Sequence, residues 1–284
     1  MSIFFTDTDC ELWYTEVDKL GIKNIFKMPY TLDGEEIFYD YGRNCDVKYI
    51  FKRMKEGAQP ITSSLNPEIY QEQLEPFFAR GEDVVYVHFS DQMSGTFKYL
   101  QLALDELKEK YPDRKCTLIN TKSISIGAGA IVRLAKKFHD EGMSDEELAE
   151  KLQPIIDNSR LLFIVDNMVY LKRGGRISGA AAAIGTVLNL KPLLNMSSDG
   201  TLGKLGVVVG KKKGVKELAK KVVENADIDY VIDVTHAVAE DEVDELIELI
   251  KEGLPKAKIN KTPIGPVIGA HCGPGTIGVS YISK

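Results

Sequence analysis

Cysteine is scarce in this chain of 284 residues: Cys10, Cys45, Cys116 and Cys272 stand far apart and form no CxxC pair. That spacing excludes a zinc knuckle and a disulfide framework. With no signal-like start at Met1-Ser2-Ile3-Phe4, it sets the expectation of a reducing cytoplasm. Asp, Glu and His nowhere gather at metal-ligand spacing, so no metal is expected. There is no GxxxxGK[ST] phosphate loop, and no Ser–His–Asp or Cys–His arrangement stands out in order and context. An excess of positive charge is also lacking. The 36 Lys and Arg are outnumbered by 42 Asp and Glu, for a net charge of -6, which excludes a broadly basic nucleic-acid binder. Unbroken apolar runs are missing too. Residues 262–283 hold no charged side chain, but Pro263, Pro266, Pro274 and five glycines interrupt them. A lipid-facing helix so interrupted would leave backbone groups unpaired, so no transmembrane segment is expected. The stretch reads instead as backbone packed closely inside the fold or against a ligand.

What is present is ordinary for a globular protein: 44% hydrophobic and 27% charged residues, with no internal repeat and no low-complexity tract. At about 150 residues per domain the length predicts two domains, or one large one. Ile3-Phe4-Phe5 reads as a buried strand running into the polar turn Thr6-Asp7-Thr8-Asp9. Residues 84–89 are the clearest strand, rich in β-branched and aromatic side chains. A helix is predicted from about Ser94, with Phe97, Leu100, Leu104 and Leu107 on one face. Further strands are expected at 116–120, 161–165, around 192–196 and at 230–234. Helices are expected around Ile131, Leu134 and Phe138, and over 145–156, 179–188, 215–223 and 240–250. Ser197-Ser198-Asp199-Gly200 signals a hairpin turn. Strands alternating with helices argue for βαβ units and a mostly parallel sheet. The polar break Asp157-Asn158-Ser159 is the expected boundary, dividing the chain into an N-terminal α/β domain, 1–159, and a C-terminal α/β domain, 160–284.

Three short segments sit where strands end or helices begin: Thr62-Ser63-Ser64, Ser94-Gly95-Thr96 and Ala270-His271-Cys272-Gly273. Hydroxyls and backbone N–H groups at helix starts suit an anion, and ligands of open α/β sheets collect beyond the carboxyl ends of strands. The structural alternative is that Ser94 merely caps its own helix and that His271 is a hydrogen-bonded core residue. Tyr170-Leu171-Lys172-Arg173-Gly174-Gly175-Arg176-Ile177 presents three cations around paired glycines. It reads either as an anion clamp or as a basic helix end closed by Gly174. Gly127-Ala128-Gly129 follows a strand but has Val132 where a dinucleotide fingerprint needs a third glycine.

In chain order, Thr6-Asp7-Thr8, Thr62-Ser63-Ser64-Leu65-Asn66-Pro67, Ser94-Gly95-Thr96-Phe97, Leu171 through Ser178 with its Gly-Gly-Arg-Ile core, and Ile264 through Gly275 resemble the DegV family of bacterial fatty-acid-binding proteins. The resemblance covers essentially the whole chain. It implies two α/β domains, the first with a mostly parallel sheet flanked by helices and the second with a mixed sheet and helices. One long-chain fatty acid would lie in a buried tunnel between them. It implies that Thr62 and Ser94, with Gly95 and with His271 nearby, hold the carboxylate, supported by Ser63, Gly175, Arg176 and Ala270. It further implies a carrier without cofactor, not an enzyme, that presents the carboxyl group to a partner fatty acid kinase. Two segments depart from the family pattern. Asn120-Thr121-Lys122-Ser123 stands where Asp-Ser is usual, and Val209 stands where kinase-coupled members carry Arg, followed by Lys211-Lys212-Lys213. The competing readings are an enzyme acting on a small carboxylated or phosphorylated metabolite at the same anion site, with Arg176 as clamp, and a carrier for another apolar ligand.

Overall fold

The computed structural model describes residues 1–177 and 189–284. The helix expected at 179–188 lies outside the described residues. The first half carries strands β1 (Ile3–Asp7), β2 (Asn24–Phe26), β3 (Pro29–Leu32), β4 (Glu35–Phe38), β5 (Ile61–Thr62), β6 (Val84–His88) and β7 (Cys116–Asn120). Among them run helices α1 (Tyr14–Leu20), α2 (Val47–Lys55), α3 (Pro67–Ala79), α4 (Thr96–Lys110), α5 (Ser125–Asp140) and α6 (Asp145–Asn158). Strands β2-β1-β6-β7 form a parallel sheet, as expected for βαβ units. Every residue of β6 is buried, which fits an interior strand covered on both faces and explains its unbroken apolar run. Strands β4-β3-β5 form a small antiparallel sheet that the sequence reading did not anticipate.

The second half holds β8 (Ser159–Ile164), α7 (Val169–Gly174), β9 (Leu190–Met196), β10 (Leu202–Val209), α8 (Lys211–Asn225), β11 (Ile232–His236), α9 (Glu240–Gly253), β12 (Ile259–Pro263), α10 (Pro266–Cys272) and β13 (Ile277–Ile282). Its sheet has the order β10-β9-β8-β13-β11-β12 and is mixed, with only β11 and β12 parallel. The hairpin between β9 and β10 turns at Ser197–Gly200 as expected, closed by the Gly200 N–H donating to Ser197 O at 2.9 Å. No described helix is long and apolar enough to cross a membrane.

Three expectations needed correction. Asp157 and Asn158 are helical and Ser159 already pairs in β8, so no loop separates α6 from the second sheet. The strand expected at 230–234 lies two residues later, because β11 takes its register from β12 and β13. The Lys run lies inside the first turn of α8 and not ahead of it. The Gly127-Ala128-Gly129 run is buried helix interior. A Cβ on Gly129 would stand 2.4 Å from Cys10 O, and one on Gly127 would meet the Ser123 hydroxyl and Leu161. These glycines let α5 approach neighbouring chain closely. They open no phosphate loop.

Helix α5 is the central element. It touches β1 and β6 of the parallel sheet and β8, β11 and β13 of the mixed one. Its Arg133 joins the two halves: the guanidinium donates to both oxygens of buried Asp233 in β11, at 2.8 and 3.1 Å, and also to Glu16. Asn260 donates to the same Asp233 at 3.0 Å.

Candidate functional site

The cavity between the halves has an apolar wall and one polar end. Leu161 and Phe163 stand two apart on β8 and so face the same way. With Met28, Met93, Ile124 and Val267 they form part of the apolar lining. The cavity encloses about 940 Å³ of atom-free space, its open mouth included.

The polar end is assembled from three distant parts of the chain. Thr62 closes β5, where pairing with Tyr30 of β3 fixes it. The segment after it is tied to the start of α4: the Leu65 N–H donates to Thr96 Oγ1 at 3.1 Å, and the Tyr70 hydroxyl lies 2.7 Å from the same atom. Thr96 is buried, and this junction brings Thr62-Ser63-Ser64 beside Ser94. Thr62, Ser63, Ser64 and Ser94 line the cavity, whereas Thr96 does not. Ser94 Oγ accepts the Thr96 N–H at 3.2 Å, although the N-cap of α4 is Gly95 and not Ser94. A lone pair is used in that way, and the hydroxyl hydrogen remains for a ligand.

The third part is α10, which brings His271 to Thr62: Nε2 lies 2.9 Å from Thr62 Oγ1. Burial, and after it the nearby Arg176 charge, pushes the His271 pKa down to about 4, so the ring is neutral at pH 7. Its Nδ1 is buried without a hydrogen-bond partner. A Cβ on Gly174 would come within 2.1 Å of that nitrogen, so a Cα–H of Gly174 points at it. A bare Nδ1 tolerates that contact better than an N–H would. The proton therefore belongs on Nε2, which donates to Thr62 and leaves the threonine hydroxyl hydrogen for the cavity.

Arg176 lines the same end. It spans the two halves, with Nε donating to Met93 O at 3.1 Å and Nη1 to Gly174 O at 2.5 Å. The cap of α7 is Gly175, at φ 68°, not Gly174 as the sequence reading had it. Gly95 and Gly175 are absent from the cavity wall. They line a shallower recess on the outer side, which shares Ser94 and Arg176 with the cavity. Ala270 is half-buried and outside both walls.

The sequence reading took Asp9 for part of a turn and passed over Glu11 and Thr235 as site residues. All three are buried, and Asp9 and Thr235 line the cavity. Glu11 holds α5 and α10 together, accepting the Ser125 hydroxyl and the Gly265 N–H. Burial pushes Glu11 up to about 8. Asp9 lies well above its ordinary value, first through burial and then through Asp7 and Glu11. The available signal was three acids, Asp7, Asp9 and Glu11, at alternate positions from the last residue of β1 onward, after the apolar Ile3-Phe4-Phe5. Among the described residues no His, Cys, Asp and Glu group could hold a metal ion.

A family model described as "Uncharacterised protein, DegV family" matches residues 4–284. A DegV domain-containing protein of Clostridium perfringens is 32% identical over 284 residues, 99% of this chain and 97% of the relative. The DegV domain-containing protein YteA of Lactococcus lactis is 33% identical over 255 residues, 88% of each chain. Among solved structures, a DegV family protein from Thermus thermophilus described by its fatty acid binding superposes with a TM-score of 0.85 at 31% identity, covering 99% of both chains. A stearic acid-binding protein from Eubacterium ventriosum superposes with a TM-score of 0.86 at 26% identity, covering 100% of this chain and 99% of that one.

Proposed function

We propose, since this chain belongs to the DegV family, that it binds one long-chain fatty acid with the carboxylate at Thr62 and Ser94 and the acyl chain along the apolar wall. The observation that carries this reading is the Thr62–His271 pair, 2.9 Å apart across 209 residues of sequence, at the polar end of a cavity otherwise lined largely by aliphatic and aromatic side chains. A carboxylate taken out of water needs charge-assisted hydrogen bonds, and two hydroxyl donors beside a neutral imidazole supply them. Each methylene buried in the wall contributes roughly 0.8 kcal/mol, so the chain supplies most of the affinity. The stearate-binding relative from Eubacterium ventriosum supports the same class of ligand.

The protein acts on this reading as a cytoplasmic carrier and not as an enzyme, because hydroxyls and a neutral ring hold a carboxylate without attacking it. It presents the carboxyl group to a partner kinase through the outer recess at Gly95 and Gly175, where Ser94 and Arg176 are reached from both sides. The proposed division into 1–159 and 160–284 lies one residue beyond the passage from α6 into β8, which opens at Ser159.

Native mass spectrometry of the protein purified from bacteria tests the ligand class: a co-purified long-chain fatty acid is expected. A polar metabolite in its place would return the site to an enzyme. Titration of the Thr62→Ala variant with the same acid is expected to show a loss of roughly tenfold or more. An unchanged dissociation constant would remove Thr62 from the site.

A further inference from the structure

The cavity wall carries two buried polar atoms that the carboxylate site does not use. Thr235 Oγ1 in β11 and Asp9 Oδ1 in the turn after β1 have no hydrogen-bond partner among the described residues, and both residues line the cavity. Thr235 is 3% exposed and Asp9 is 7% exposed. A Cβ on Gly278 would lie 3.1 Å from Thr235 Cγ2 and 3.4 Å from Phe163 Cβ, so these three residues share the face of the sheet that forms the cavity floor. Asp9 donates its own N–H to Asp7 Oδ1 at 3.0 Å and offers its carboxyl group to nothing else described. Buried polar atoms without partners are uncommon, and leaving one unpaired costs the desolvation of the group. A plain methylene chain would leave both atoms dry.

We propose that the cavity accepts acyl chains bearing a hydroxyl group, which pairs with Asp9 and Thr235 while the carboxylate occupies the Thr62 site. This deepens the carrier reading and rests on it. A hydroxyl is both donor and acceptor, so it matches two unlike partners at once. The ligand hydroxyl donates to the Asp9 carboxyl group and accepts from the Thr235 hydroxyl, so each of the two atoms gains a partner. A site arranged to hydrogen bond a ligand hydroxyl discriminates against the analogue that lacks it.

The experiment is a calorimetric titration of the full chain with stearate and with hydroxystearates whose hydroxyl sits at successive carbons. One isomer is expected to bind roughly two- to tenfold more tightly than stearate. Thr235→Val and Asp9→Leu are each expected to bring the ratio of the two affinities toward one. If every isomer binds more weakly than stearate, the inference is overturned and water alone satisfies these atoms. A ratio that neither variant lowers overturns the assignment to these residues. Thr235→Val is isosteric and deletes an atom without a partner, so it decides the question should Asp9→Leu fail to fold. Failure of stearate itself to bind overturns the carrier reading, and this inference with it.

Discussion

Glu11 carries a proton at pH 7 because it is buried between the Ser125 hydroxyl and the Gly265 N–H, with its pKa pushed up to about 8. The unfolded chain releases that proton near 4.5, so between about 4.5 and 8 the folded state binds more protons than the unfolded one. Stability therefore falls as pH rises through this interval and levels off above it. Asp7, pushed up to about 7 by burial, acts with the same sign. Replacing Glu11 by Gln keeps both contacts, since the amide oxygen accepts from Gly265 and the amide NH₂ donates to Ser125. Thermal melts of Glu11→Gln are expected to show a larger gain at pH 8 than at pH 5, with part of the slope remaining through Asp7. A slope identical to that of the parent protein would mean that Glu11 is ionised in the fold.

At the scale of elements, the first turn of α8 separates its three lysines. Lys211 is paired, 2.7 Å from Glu242 and 3.6 Å from Asp166, whereas Lys212 and Lys213 are exposed with no carboxylate partner among the described residues. Beside them β10, an edge strand, exposes Leu205, Val207 and Val209. If this face meets an acidic partner, Lys212→Glu with Lys213→Glu slows kinase-coupled acyl transfer, more at low salt than at high, while fatty-acid titration is unaffected. Turnover insensitive to both would leave the lysines as a solvated helix start. Lys211→Glu is no substitute, because it would set three acids together. The spacing of Phe97, Leu100, Leu104 and Leu107 was legible because helical period alone decides it, and β6 because a strand buried on both faces is apolar throughout. The three-stranded β4-β3-β5 sheet was not, since β4 is largely exposed and β5 has two residues. Nor was the start of β11, which its neighbours determine. Thr62, Ser94 and His271 were legible through the resemblance to a family. Their meeting depends on Thr96 and Gly174, whose part appears only once the chain is folded.

For the whole molecule, the bond between halves is ionic as well as apolar. Asp233 is buried, and burial raises its pKa even though Arg133 opposes that shift. Arg133→Met would leave the carboxyl group buried opposite a thioether. A loss of about 3–5 kcal/mol in urea unfolding is expected, as for other broken buried pairs. Adding Asp233→Leu should recover much of it. A single variant within about 0.5 kcal/mol of the parent would show that water replaces the guanidinium and that the halves do not depend on it.

Strand β13 lies between β8 and β11 in the middle of its sheet, yet it is made after every other described strand there. The parallel sheet, by contrast, has all its strands once Asn120 has been synthesised. The two halves thus become competent to fold at different moments of translation. The N-terminal sheet can form on the ribosome, while β8 to β12 wait with unpaired edges for Ile277–Ile282 to emerge. Since β8, β11 and the Thr276–Gly278 segment all contribute to the cavity, the nascent chain has no complete cavity until that strand is inserted. On the proposed reading, loading is therefore a late event in the life of each molecule.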